Sequence, residues 1–139
     1  MNVGSQDFPL AHLAIAVSNI DESAKTYVAL GFTPAPPEII TRERVRVQLV
    51  HKGEFRIELV EAWPAGEGPI AKFIQKQGQG LHHIALHSAS LDEDLSTLKK
   101  VGISPLPGYP AAGAENTRVA FLDPKTTGGV LIELVAPGP

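Results

Sequence analysis

The sequence predicts an α+β protein made of two tandem βαβββ modules whose strands form a curved, cup-like eight-stranded mixed sheet. Three observations predict it. His12-Leu13-Ala14 recurs as His83-Ile84-Ala85, and Ile57-Glu58-Leu59-Val60 recurs as Ile132-Glu133-Leu134-Val135. Each histidine is followed, at one and the same distance, by a glycine that closes a helix-like run: 31 − 12 = 19 and 102 − 83 = 19. The order strand, helix, strand, strand, strand is readable in both halves. At 139 residues the chain has the size of one domain, 1–139. Module one is expected over 9–61, a connector helix over 69–77 and module two over 81–136.

Leu10 to Val17 reads as a buried strand. Ser18 with Asp21 three residues on is an N-cap signature, and a helix follows to Leu30. Ile20, Ala24, Tyr27 and Val28 share one face of that helix, and Gly31 stops it. Pro34, Pro36 and Pro37 punctuate the next stretch. Val45 to Leu49 alternates as a half-buried strand does, Lys52-Gly53 makes a turn, and Phe55 to Val60 is the next strand. Glu61 to Gly68 is a loop that holds the only Trp, Trp63. Pro69 to Gln77 is a short helix with proline in its first turn, closed by Gly78-Gln79-Gly80.

The unit then starts again. Leu81 to His87 is a strand. Ser90 and Glu93 have capping-box spacing, and the helix runs to Val101. Thr117 to Leu122 and Val130 to Val135 are strands around a Pro124 to Gly129 turn. The Glu copies are offset by 133 − 58 = 75 and the His copies by 83 − 12 = 71, so four extra residues belong in the loops of the second half.

Composition narrows the function. A net charge of −3 without a basic stripe argues against nucleic acid or an anionic membrane as partner. No apolar run approaches the roughly 20 residues of a membrane helix. No cysteine is present, which removes disulfides, thiolate metal sites and a Cys nucleophile. No signal peptide is visible at the start, and a cytoplasmic location is expected.

Strand parity groups the polar residues. Side chains alternate between the two faces of a strand. Leu13, Ile15 and Val17 form one face for the helix, leaving His12, Ala14 and Ala16 on the other. Phe55, Ile57 and Leu59 leave Arg56, Glu58 and Val60 opposite. The second half repeats this, with His83, Ala85, His87 and Glu133 away from the helix. Small residues beside each histidine leave room for a ligand. Two imidazoles and two carboxylates with no thiolate suit Zn, Ni, Co, Mn or Fe, and do not suit a structural zinc site. A lone strand histidine is usually structural and a lone glutamate usually solvated; the joint recurrence favours metal ligands at His12, Glu58, His83 and Glu133. His82 points the other way and reads as packing. His51 is expected to be exposed. His87 lies on the ligand face but further along. Gln48 and Arg46 either line the cup or face water. His87, Gln48 and Arg46 are therefore the candidate substrate contacts.

These motifs resemble the vicinal oxygen chelate superfamily, and within it the methylmalonyl-CoA epimerase family. The resemblance rests on Leu10-Ala11-His12-Leu13-Ala14-Ile15-Ala16-Val17, on Pro69-Ile70-Ala71-Lys72-Phe73-Ile74 and on Gly80-Leu81-His82-His83-Ile84-Ala85. Pro124-Lys125 with Gly128-Gly129-Val130-Leu131-Ile132-Glu133-Leu134 is the most specific motif. It implies a glyoxalase-like fold. It also implies a divalent metal on His12, Glu58, His83 and Glu133, cobalt or manganese first and nickel or zinc next. The implied reaction is inversion of the α-carbon of methylmalonyl-CoA or a similar acyl-CoA, in a homodimer; a carboxylate at the edge of the metal can lie within reach of that carbon, which makes Glu133 the first candidate base and Glu58 the second. The same resemblance carries two other readings: a glyoxalase I type isomerase (lactoylglutathione lyase), and a non-catalytic protein that sequesters an antibiotic. The chain departs from the family at Asp123, where histidine is usual before Pro-Lys, and at Ala114-Glu115-Asn116. It also offers only Val47 or Gln48 where some members carry an acid/base glutamate.

Overall fold

A computed structural model of the chain describes residues 7–138. They fall into two compact units, one of residues 12–82 and one of residues 7–11 with 83–138.

In the first unit, strand β1 (Leu10–Ala16) leads to helix α1 (Ile20–Ala29). The cap of α1 is Asn19, whose side chain accepts from the Glu22 N–H, and not Ser18. The chain is still committed to strand-like bonding before that point: Val17 N–H donates to Val60 O, and Ser18 N–H to Gln79 Oε1. Gly31, at φ +97°, takes the left-handed conformation that ends the helix. Ile20, Ala24 and Tyr27 pack as expected, whereas Val28 is exposed.

Strands β2 (Thr33–Pro34) and β3 (Glu38–Ile40) both pair antiparallel with β4 (Val45–Lys52). They are one edge strand in two pieces. Pro34 faces Val50, Ala35 N–H donates to Leu49 O, and Glu38 faces Val47. Pro36 and Pro37 lie between, and they have no N–H to continue the ladder. β4 turns through Gly53 and Glu54 into β5 (Phe55–Ala62), and β5 pairs parallel with β1. This gives four strand positions in the order β2/β3, β4, β5, β1. Val17, Ile20, Val50, Ile57 and Leu59 form the core beneath α1. Helix α2 (Gly68–Gln77) buries Ile70 and Ala71, with proline in its first turn and Gly78 at its end.

The second unit repeats the plan. Strand β6 (Gly80–His87) pairs parallel with β9 (Ile132–Pro137); β9 pairs antiparallel with β8 (Thr117–Leu122), and β8 with β7 (Ala111–Ala112). Helix α3 (Leu91–Lys99) covers a core of Leu91, Leu98, Ala120, Leu122, Leu134 and Ala136. Two strand sets of four positions make the expected eight. Strand β9 begins at Ile132 and not at Val130, because Gly128 and Gly129 both adopt positive φ and prolong the turn. Ser90 occupies the cap position of α3 without a side-chain cap bond, and the helix ends at Lys99. The start of the chain joins this unit: Phe8 packs on its core, and His87 N–H donates to Pro9 O at 2.7 Å. The four extra residues lie in loops, since 118 − 46 = 72 and 136 − 61 = 75 at the matched pairs Arg46–Glu61 and Arg118–Ala136.

Candidate metal centre

Register decides which side chains meet. In the first unit Ala14 lies opposite Glu58 across the parallel β1–β5 pair. His12 is two residues before Ala14 and so shares its face, diagonal to Glu58. Its Nε2 lies 3.6 Å from Glu58 Oε1, with both side chains about nine-tenths buried. In the second unit Ala85 lies opposite Glu133 across β6–β9, and His83 is two residues before Ala85. His83 Nε2 and Glu133 Oε1 are 3.1 Å apart and buried. One register, used twice, joins each histidine to the glutamate of its own module. Ala14, Ala16 and Ala85 are fully buried beside these pairs.

The donor set fits a divalent cation. A buried carboxylate is costly without a partner, and here each one meets an imidazole nitrogen. Nitrogen and oxygen donors without sulfur are the ligand chemistry of catalytic Zn, Ni, Co, Mn or Fe sites.

Two candidate substrate contacts lie elsewhere. Leu49 faces Glu58, so its neighbour Gln48 faces Leu59 and Arg46 faces Glu61, on the α1 side of the sheet. Gln48 Nε2 donates to Ala35 O, and Arg46 is engaged by Glu61 at 3.5 Å and Asp21 at 3.6 Å. Of the two alternatives open for Arg46 and Gln48, lining the cup or facing water, this register removes the first, because both lie on the α1 face. His87 lies opposite Val135 on the His83 face, at the exposed end of β6. His82 points away and packs edge-on against Phe73 at 4.9 Å, as expected. His51, expected to be exposed, is half-buried in β4.

Two features were missed in the sequence. Phe121 faces Glu133 across β8–β9, and its ring meets the His83 imidazole at 5.0 Å, nearly perpendicular. An Arg–Asp clamp is also duplicated. Arg46 reaches Asp21 in the first turn of α1, and Arg118 makes two bonds to Asp92 in the first turn of α3. The aspartates share the histidine offset, 92 − 21 = 71, which is a readable signal.

This chain belongs to the glyoxalase/bleomycin resistance protein/dioxygenase superfamily, whose family model matches residues 11–121. Within that class several of its relatives are epimerases by name. The ethylmalonyl-CoA/methylmalonyl-CoA epimerase of Cereibacter sphaeroides is 36% identical over 129 residues, covering 90% of this chain and 95% of that one. The methylmalonyl-CoA epimerase of Mycobacterium tuberculosis superposes with a TM-score of 0.90 at 32% identity, over 100% of this chain and 94% of that one. A methylmalonyl-CoA epimerase solved in complex with methylmalonyl-CoA and NH4+ gives 0.86 at 29% identity, over 95% and 99% of the two chains.

Proposed function

We propose that this chain is an acyl-CoA epimerase that inverts the α-carbon of methylmalonyl-CoA, with ethylmalonyl-CoA as a second substrate of the same kind, at one divalent ion held by His12, Glu58, His83 and Glu133. The observation that carries the reading is the duplicated, buried His–Glu pair in matched register. Full-length likeness to named epimerases favours this reaction over glyoxalase I chemistry and over antibiotic sequestration. Cobalt or manganese is the first expectation for the ion, nickel or zinc the next. A homodimer is carried into the proposal by resemblance alone, and a cytoplasmic location by the cysteine-free sequence. No helix among the described residues is long and apolar enough to cross a membrane.

Epimerisation breaks the α-carbon C–H bond on one face and remakes it on the other. The electron pair left behind delocalises onto the thioester carbonyl. The ion, when bound, supplies Lewis-acid stabilisation of that developing negative charge. Glu133 is the first candidate to take the proton, because its carboxylate is dry and fixed against His83. Glu58, the matching carboxylate of the other module, is the candidate for the opposite face.

The test is exchange. Metal-loaded protein with methylmalonyl-CoA in D2O should incorporate deuterium at the α-carbon, while methylglyoxal with glutathione should yield no thioester. Glu133→Gln should abolish the exchange. Absence of exchange in the wild-type protein overturns the activity, and wild-type exchange in Glu133→Gln overturns the role of Glu133.

A further inference from the structure

The two half-sites carry the same ligands but different flanks. Across the antiparallel pair from its glutamate, module one places Leu49 and module two places Phe121. The Phe121 ring stands at 88° to the His83 imidazole with centroids 5.0 Å apart. Tyr109 in turn meets Phe121 at 5.3 Å and 74°. Tyr109 also packs on the core of the same unit, so the stack runs from that core to the ligand. Edge-to-face pairs of this geometry are attractive beyond their buried area.

A histidine ring has only two torsions to fix. Glu133 Oε1, 3.1 Å from Nε2, restrains one end of the ring, and Phe121 occupies the space into which the ring would otherwise tilt. The corresponding separation in module one, beside Leu49, is 3.6 Å. We propose that Phe121, backed by Tyr109, is a positioning residue: it holds the His83 imidazole in its ligating orientation before ion or substrate arrives, and makes the second-module pair the better ordered half of the site. This rests on the metal reading above.

The test uses Phe121→Leu, which gives module two the side chain that module one carries. Two readouts separate positioning from mere stability. One is carbon-13 relaxation of the His83 ring in metal-free protein. The other is the dissociation constant for Co2+ or Mn2+ by titration. The ring should gain nanosecond mobility, and affinity should fall about tenfold, the size of loss seen when a ligand's supporting group is removed. Phe121→Tyr should restore both. Tyr109→Leu, which leaves Phe121 in place, should show the same changes in smaller degree and serves if Phe121→Leu does not fold. A rigid His83 ring with wild-type affinity in the variant that folds overturns the positioning role. If the wild-type protein binds the ion with an ordered His83 but does not epimerise the thioester, the substrate reading fails and the positioning role stands. Failure of the wild-type protein to bind either ion overturns both.

Discussion

Replacing Ser88 by alanine should cost about 2 kcal/mol, in the range for a buried hydrogen bond to a charged group. Ser88 and Asp94 are 3% and 4% exposed. The Ser88 hydroxyl donates to Asp94 Oδ2 at 2.6 Å. Ser88 is itself fixed at the end of β6, where its N–H donates to Val135 O. Asp94 sits in the first turn of α3, its N–H bonded to Ser90 O. The bond therefore ties the helix to the two strands that carry His83 and Glu133. Removing the hydroxyl leaves a carboxylate oxygen without that donor in a dry place, which is why the loss exceeds that of a surface bond. For 139 residues each kcal/mol is worth about 3 °C of Tm, so Ser88→Ala should melt about 6 °C lower. Asp94→Asn keeps an acceptor oxygen and should lose about 1 kcal/mol. Asp94→Ala should lose about 2–3 kcal/mol, because it empties space as well as breaking the bond. The double variant should recover about 1.5 kcal/mol of the summed losses, since each single change spoils the same interaction. Urea unfolding followed by circular dichroism measures all four. A loss below about 0.5 kcal/mol in Ser88→Ala, or strict additivity in the double variant, refutes the reasoning.

Four further outcomes are expected. Leu59 and Leu134 occupy matching core positions and are at most 1% exposed, so either leucine changed to alanine should cost about 3 kcal/mol in urea unfolding; a near-zero loss for one would show that the two cores are not equivalent. Arg118→Ala should cost under about 1 kcal/mol and lose even that in high salt, because Asp92 is 76% exposed. Glu61→Ala should cost more, about 1–2 kcal/mol, because Glu61 Oε2 accepts from the first N–H of α1 while Oε1 meets Arg46. A divalent ion at one hundred times its Kd should raise wild-type stability by about 2.7 kcal/mol, reversed by chelator; His83→Ala should show neither rise nor reversal in a thermal melt.

Much of this fold could be read from one strand alone. The parity of Leu10 to Val17 put His12 on the face away from α1, and the packing of Ile15 and Val17 beneath α1 agrees. What failed was parity without a partner. Val45 to Leu49 alternates cleanly, yet alternation does not say which face is which. The hairpin settles it. Lys52 pairs with Phe55, so only Gly53 and Glu54 lie in the turn, and every opposed pair sums to 107: 52 + 55 and 49 + 58 alike. A two-residue turn with Gly53 at positive φ fixes the register. Reading the turn as Gly53-Glu54 would have put Leu49 beside Glu58 and excluded Arg46 and Gln48. The matching connection in module two runs from Asp123 to Leu131 and has no such rule, so Phe121 could not be aligned with Glu133 from sequence. The split edge strand escaped for a local reason: two prolines hide a pairing that resumes one residue out of step.

The comparison of the two modules also separates what the duplication keeps from what it changes. The histidine, the small residue two positions on, the glutamate opposite it and the Arg–Asp clamp all recur. These groups must be placed relative to one another within a module, and a shared register does that for both copies. The differences gather around the glutamates. Leu49 answers to Phe121, Glu61 to Ala136, and the two-residue turn to a nine-residue connection. An epimerase has to reach one carbon from two opposite faces, because the proton leaves on one side and returns on the other. Two identical half-sites would give both carboxylates the same surroundings. The unequal flanks give Glu58 an aliphatic neighbour and Glu133 an aromatic one, so the two carboxylates proposed as bases stand in different surroundings although one motif supplies both.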